Sequence, residues 1–287
     1  MRARLGEVAR DVSRHMEAIL APLGREPLHD AMRYASEGGK RLRAFLVIES
    51  ARLHDIPVAR ALWPASGIEF LHAYSLVHDD LPCMDDDDLR RGRPTVHRRW
   101  DEATAILTGD ALQALAFECV AAPEVGPSET RAALTLGLAR AAGAQGMVLG
   151  QALDIAAESA ETPLDLEAIT ALQAGKTGAL IGWAGTAGAV MAGADTGPLE
   201  RYASALGLAF QIADDVLDVE GDAAMTGKAV GKDARAGKAT FVSLLGLDGA
   251  KARAAALVDE AGAALSCYGS EARDLQALAR FVIARES

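Results

Sequence analysis

Cysteine is too scarce in this chain to build a disulfide framework or a zinc site. Cys83, Cys119 and Cys267 are spread over 287 residues. They are odd in number and never form a CxxC pair, so they read as separate reduced thiols. Aromatic residues make up only 5% of the chain, and Ala and Leu dominate its apolar half. Both lose little on entering a helix, whereas a strand-rich protein would favour aromatic and β-branched residues. No segment alternates apolar and polar residues over strand length, and no fixed-period repeat occurs. The longest uncharged stretch, 177–194, is rich in Gly, Ala and Thr, too weakly apolar for a membrane span, and reads as a buried helix with small faces. The amino-terminal MRARLGEVARDVSRHM has no apolar centre resembling a signal peptide. A soluble, cytoplasmic protein without membrane insertion is expected. Positive charge is in deficit, 29 basic residues against 40 acidic, for a formal net charge of −11. Such a surface repels phosphate backbones, which argues against nucleic acid as a partner. An anionic ligand would need a local basic pocket or bound cations.

The length suits one large domain, 1–287, able to bury its core without staples. Ten prolines, at 22, 27, 57, 64, 82, 94, 123, 127, 163 and 198, divide it into helical stretches, because proline breaks helix interiors. The gaps predict a helix pair over 28–56 and helices over 65–81, 95–122, 128–159, 166–194 and 199–219. Leu275, Leu278, Phe281 and Val282 recur at helical spacing and mark a closing helix. Two segments read as loops: 82–94, dense in Asp and Arg, and 221–239, where Gly, Lys and Asp mix with small residues. The composite is an all-α single bundle of roughly ten or more helices.

Chemistry concentrates in two acidic clusters. In QIADDVLDVEGD, 211–222, Gln211, Asp214, Asp215 and Asp218 fall on one helical face. The residues before them are apolar, and like charges on a half-buried stripe require a cation. In HDDLPCMDDDDLRRGRPTVH, 78–97, Asp79 and Asp80 close an apolar helix. Pro82 then removes the amide that would bond the carbonyl of His78, so the helix must bulge or stop. An unbroken helix would align Asp79 with Asp86 and not with Asp85, so spacing alone leaves open which distal carboxylate shares an ion with Asp79. Asp87 and Asp88 read as solvated surface. Carboxylate-only donor sets suit hard cations, and Mg²⁺ takes one or two carboxylates plus water and substrate phosphates. An EF-hand is excluded by the missing loop glycine.

Basic residues escort both clusters: Lys40 and Arg43 in GGKRLR, Arg90, Arg91 and Arg93 after the first cluster, Lys176 in AGKTGAL, and Lys228, Lys232 and Lys238 in the second loop. Any one of them alone would be an ordinary surface charge. AGKTG is not a phosphate-binding P-loop, because Thr170 stands where that pattern needs glycine and no strand precedes it.

Taken together, GGKRLR, the long first aspartate-rich motif, GMVLGQALDI, GKTGALI, FQIADDVLD and GKATFVSLLG resemble the trans-type prenyl diphosphate synthases over nearly the whole chain, most closely the bacterial farnesyl type. The resemblance implies an all-α fold around a deep central cavity, usually as a homodimer, with the two acidic motifs facing each other across the cavity mouth. It implies about three Mg²⁺ per site, two on Asp79 and Asp85 and one on Asp214, with Asp80 and Asp218 in support. It implies that Arg90, Lys176, Gln211 and Lys228, with Lys238, hold an allylic diphosphate, that Gly39, Lys40, Arg43, His72 and Arg91 hold isopentenyl diphosphate, and that Thr177 lies near the reacting carbons. His72 precedes Asp79 by two helical turns on the same face. Ala44 and Val242 stand where the family often has proline.

The activity implied is Mg²⁺-dependent condensation of isopentenyl diphosphate with dimethylallyl or geranyl diphosphate to give farnesyl diphosphate. Tyr74, with Ser75 beside it, lies roughly 7.5 Å along the helix before Asp79. In the family a bulky aromatic there limits the product to fifteen carbons. A merely packing role for Tyr74 would leave the twenty-carbon geranylgeranyl product open. A terpene cyclase would not need the GGKRLR and His72 subsite, and a non-catalytic partner subunit would normally have one degraded motif.

Overall fold

The structure is a computed structural model, and the residues described are 1–158, 164–220 and 239–284. Among them are fourteen α-helices and one minimal hairpin. Helices α1 (Arg2–Leu20), α2 (Pro27–Ser36), α3 (Leu42–Arg52) and α4 (Val58–Asp79) come first. The strands β1 (Leu89–Arg90) and β2 (Arg93–Pro94) follow. Then come α5 (Val96–Arg99), α6 (Glu102–Ala121), α7 (Ser128–Ala142), α8 (Met147–Glu158) and α9 (Leu166–Gln173). A π turn over Ala174–Gly178 runs into α10 (Ala179–Ala192), followed by α11 (Gly197–Glu220). Last are α12 (Phe241–Leu245), α13 (Leu247–Ala264) and α14 (Arg273–Ile283). The expected all-α class is what the chain adopts.

Helix α4 is the axis of the molecule. It packs on α6, α3 and α1, while α10 joins α3 to α11 and α11 lies along α13. One apolar core runs through these helices and includes Phe45, Phe70 and Phe241. Full burial of each such side chain contributes roughly 1.5–3 kcal/mol. The predicted buried helix at 177–194 is α10, with Leu180, Trp183, Ala184 and Ala187 inside. Its glycines set the spacing, because a Cβ at Gly188 would overlap the backbone of Ser50 and Ala51 on α3. The two helices touch backbone to backbone there, at the carboxyl-terminal end of α3.

Several predicted boundaries move, each for a local reason. The helix expected over 65–81 begins at Val58, and Pro64 lies inside it, fully buried; tertiary packing overrides the proline, whose missing amide leaves only the carbonyl of Arg60 without its helical partner. The stretch 95–122 is broken at Trp100, and α6 restarts where Asp101 accepts a hydrogen bond from the amide of Thr104 at 2.7 Å, an N-cap. The stretch 128–159 divides at Gly143 and Gly146, where a Cβ would overlap the carbonyls of Ala139 and Ala141. The loop 82–94 contains the hairpin, paired Leu89 to Pro94 and Arg90 to Arg93. Two residues per strand are too few to leave an alternation in sequence. At Ala44 the backbone amide donates to the buried carboxylate of Glu69 at 3.0 Å, a bond that proline could not make.

Candidate active site

Helix α4 ends where Pro82 requires. The amide of Leu81 donates to the His78 carbonyl at 3.2 Å and the chain turns back on itself. The Asp85 amide then bonds the Asp79 carbonyl at 2.8 Å and the Asp86 amide bonds the Leu81 carbonyl at 3.1 Å. Asp86 takes φ +50°, a left-handed conformation that Asp tolerates better than most residues. This turn brings Asp85, rather than the Asp86 that an unbroken helix would align, beside Asp79. Burial pushes the Asp79 carboxyl up to about 6, with Lys176 opposing the shift and Asp85 adding to it. A buried carboxylate crowded by like charge is a site prepared for a cation.

The opposite wall is set by glycines. Gly150 on α8 lies so close to the π turn that a Cβ would overlap the backbone of Lys176. On the other side, a Cβ at Gly207 of α11 would meet Gly178 at 3.4 Å. The π turn is therefore held between α8 and α11, a geometry often found at functional positions. Asp154, one turn beyond Gly150, receives Lys176 at 2.7 Å. Gln211 and Asp214 lie four and seven residues after Gly207, on the same stripe of α11. Gln211 and Thr177 are half-buried and Asp214 is exposed. Asp218 is half-buried one turn further on. Asp215, which the spacing grouped with them, accepts the amide of Phe241 at 2.6 Å and caps α12.

Between the walls sits a basic cluster. Arg90 binds Asp80 through Nε at 2.6 Å and Nη2 at 2.5 Å. Asp80 thus holds Arg90 in place at the rim. Arg43, half-buried, is stabilised by the charges of Glu69 and Asp214, although burial lowers its pKa. The Glu69 carboxylate binds Arg41 at 3.3 Å. Arg91 donates to the Glu37 carbonyl at 3.0 Å, and a Cβ at Gly39 (φ +88°) would meet its guanidinium at 2.8 Å. His72 is surrounded by this group. Burial first, then Arg43, Arg91, Arg90 and Arg41, lowers its pKa well below the ordinary value, so its imidazole is neutral. Lys40 is exposed at the same turn.

Tyr74 is buried, with its ring edge on His78 at 5.3 Å between centroids and its hydroxyl against Gln113 of α6. The Ser75 hydroxyl bonds the His72 carbonyl at 2.9 Å. His78 fits a notch over Gly109, where any Cβ would overlap its ring. Asp88 pairs with Arg98 at the surface, as expected of a solvated charge, but Asp87 is half-buried and pairs with Arg90 at 3.6 Å, drawn in by the guanidinium that also binds Asp80. Lys228, Lys232, Lys238 and nearly all of the 221–239 loop lie outside the described residues.

Sequence reasoning missed Asp154, Glu69, Glu37 and Gln113. Asp154 carried a signal, since it is the sole charge in the apolar run MVLGQALDI; the others meet their partners only through the fold. Among the described residues no three His, Cys, Asp or Glu side chains converge on one point.

Similarity to known proteins agrees with this geometry. The polyprenyl synthetase family profile matches residues 25–273, and the chain belongs to the polyprenyl synthetase family. Within that family it is 44% identical to the farnesyl diphosphate synthase of Escherichia coli (strain K12), over 98% of each chain. It is 40% identical to a chloroplastic geranylgeranyl pyrophosphate synthase of Catharanthus roseus, over 93% of this chain and 77% of that one. The crystal structure of an FPP/GFPP synthase from Zymomonas mobilis superposes with a TM-score of 0.90 at 46% identity, covering 99% of this chain and 98% of that one.

Proposed function

We propose that this chain is a (2E,6E)-farnesyl diphosphate synthase that extends dimethylallyl and geranyl diphosphate with isopentenyl diphosphate. The observation that carries the reading is the arginine cluster around His72, two turns along α4 before Asp79, which the turn at Pro82 brings beside Asp85. Two anions could be held side by side there, one through divalent cations on the carboxylates and one on the guanidiniums.

Carboxylate donors with no soft ligand among them fit Mg²⁺, about three ions per site, with Asp79 and Asp85 on one wall and Asp214 and Asp218 on the other. Bound Mg²⁺ supplies Lewis-acid neutralisation of the diphosphate leaving group. Arg90, Lys176 and Gln211 hold the allylic diphosphate as its charge develops, and these preoriented donors favour ionisation to an allylic cation. Gly39, Lys40, Arg43, His72 and Arg91 hold isopentenyl diphosphate, whose double bond attacks that cation. The neutral imidazole donates a hydrogen bond without adding charge. Asp80 fixes Arg90, and Thr177 borders the reacting carbons. The proton lost after attack passes to the departing diphosphate, so no protein nucleophile is needed. Tyr74 forms the floor of the tail cavity.

A homodimer is supported by apolar side chains left exposed on adjacent helices, Ile106 and Leu107 on α6, Leu136 on α7, and Leu149, Leu153 and Ile155 on α8. Segments 102–121 and 128–157 are long and apolar enough to cross a membrane. Their contacts with α4 and α10 favour a cytoplasmic enzyme with a subunit on the remaining face. The relative from Catharanthus roseus gives the geranylgeranyl product as the second reading, and the bulk of Tyr74 favours the shorter one. Incubation of the purified protein with Mg²⁺, isopentenyl diphosphate and dimethylallyl diphosphate should give the fifteen-carbon diphosphate by mass spectrometry. Absence of any elongated product would refute the activity.

A further inference from the structure

Outside the active site, α2 with the turn before it, the hairpin and α5 line an open cavity of about 600 Å³. It is lined by Arg25, Arg33, Arg93, Arg99 and the rings of Tyr34 and Trp100. Its acidic residues are only Asp30 and Glu37, so the lining is net positive on a chain whose net charge is −11. The four guanidiniums are not equally engaged. Arg33 is committed to the end of α1 and the turn after it, through the carbonyls of Leu20, Leu23 and Gly24 at 3.0, 2.7 and 2.9 Å. Arg25 is exposed and lies 3.8 Å from Asp30. Arg93 pairs with Glu37 at 2.7 Å. Arg99 has no carboxylate partner among the described residues.

Arg93 and Arg99 both lie over the Tyr34 ring, 3.9 and 4.2 Å from its centre, and Arg99 also lies 4.8 Å from the centre of the Trp100 ring. The two cations are therefore within about 8 Å of each other, close enough for one oxyanion to bridge them. Stacking on the rings fixes their positions but leaves the charge of Arg99 uncompensated. Planar guanidiniums held rigidly on aromatic faces are suited to bidentate binding of phosphate oxygens.

We propose that this cavity is a second diphosphate site, one that takes a free diphosphate-bearing anion and weakens the isopentenyl diphosphate subsite; the regulatory half of this rests on the function proposed above. Glu37 couples the two places. Its carboxylate holds Arg93, its carbonyl receives Arg91, and it leads directly into Gly38 and Gly39. An oxyanion on Arg93 and Arg99 displaces the Glu37 carboxylate and loosens the turn that positions Arg91.

Calorimetric titration with inorganic diphosphate in EDTA, on wild type and on the Arg25→Gln/Arg99→Gln variant, tests the site without catalysis. Both side chains are exposed, and an unchanged melting temperature confirms that the variant is folded. Wild type should bind one more diphosphate per chain than the variant; equal stoichiometry and affinity would overturn the proposal. In the steady state, inhibition of isopentenyl diphosphate use by added diphosphate should weaken about fivefold in the variant, with kcat/KM unchanged when no diphosphate is added. Inhibition identical in the two proteins overturns the regulatory role. Binding to phosphatidylglycerol vesicles that depends on these arginines, with no difference in diphosphate binding, overturns the choice of ligand. A protein that forms no product leaves the calorimetric result intact, so failure of the activity and failure of the site are separable.

Discussion

Replacing Asp79 by Asn is expected to stabilise the metal-free protein while abolishing turnover. In the fold its carboxyl is raised from 3.8 to about 6, by burial first and then by Asp85 and Asp80, against relief from Lys176 and Arg90. The unfolded chain titrates near the lower value, so between the two the folded state binds more protons. Stability is then fully present below about pH 4 and is lost as pH rises through about 6. At about 1.4 kcal/mol per tenfold change the full loss is about 3 kcal/mol, and partial solvent access reduces it to about 1–3 kcal/mol. Asn keeps the shape and removes the charge. Urea unfolding in EDTA near pH 7.5 should therefore show the variant more stable by that amount, with the difference closing toward pH 4. Mg²⁺ with inorganic diphosphate should stabilise wild type and not the variant. A variant equally or less stable than wild type in EDTA near neutral pH would refute the reasoning, because it would mean that the Asp79 charge is already fully compensated.

Gly188→Ala should cost about 2–4 kcal/mol in chemical denaturation, because its Cβ would overlap the backbone of α3; a cost under about 0.5 kcal/mol contradicts the backbone contact. Gly39→Ala puts a methyl against Arg91 at φ +88° and should raise KM for isopentenyl diphosphate about tenfold or more with less change in kcat; an unchanged KM removes Gly39 and Arg91 from that subsite. His72 is neutral in the fold, and its pKa is lowered by burial and the arginines. Its contribution to stability is present above the unfolded pKa near 6.5 and is lost as pH falls below it; His72→Gln should flatten that slope in a pH series of denaturation curves, and an unchanged slope would deny that His72 is held neutral. Tyr74→Ala should yield products longer than fifteen carbons by mass spectrometry, and an unchanged product distribution denies it the floor role.

The acidic motifs were legible because they violate a physical expectation: three carboxylates on one stripe of an apolar helix repel unless a cation is present. Helix class was legible in the same way, from abundant Ala and Leu and from the spacing of prolines. Contacts between distant segments were not. Nothing near Lys176 announces Asp154, which meets it only because Gly150 and Gly207 let the π turn fit between two helices. Asp215 shows the opposite failure. Its spacing matched Asp214 and Asp218, yet it caps α12, a segment that periodicity on α11 could not reveal.

Backbone conformation explains why the choice between Asp85 and Asp86 could not be read from spacing. Helical periodicity assumes one repeated backbone geometry, but Arg41, Asp86 and Arg91 all take positive φ. Asp55 is the other non-glycine residue to do so among those described. A left-handed conformation costs a side chain roughly 1–2 kcal/mol, and the three residues cluster around the proposed diphosphate subsites. Their neighbours oppose relaxation: Arg41 is tied to Glu69 and to the Ser36 carbonyl, Arg91 to Glu37, and Asp86 to the Leu81 carbonyl. Strain held this way persists only where the surroundings over-determine it. The site is thus placed by tertiary contacts against local preference, which is why the residue types of its chemistry could be read from the sequence and their final partners could not.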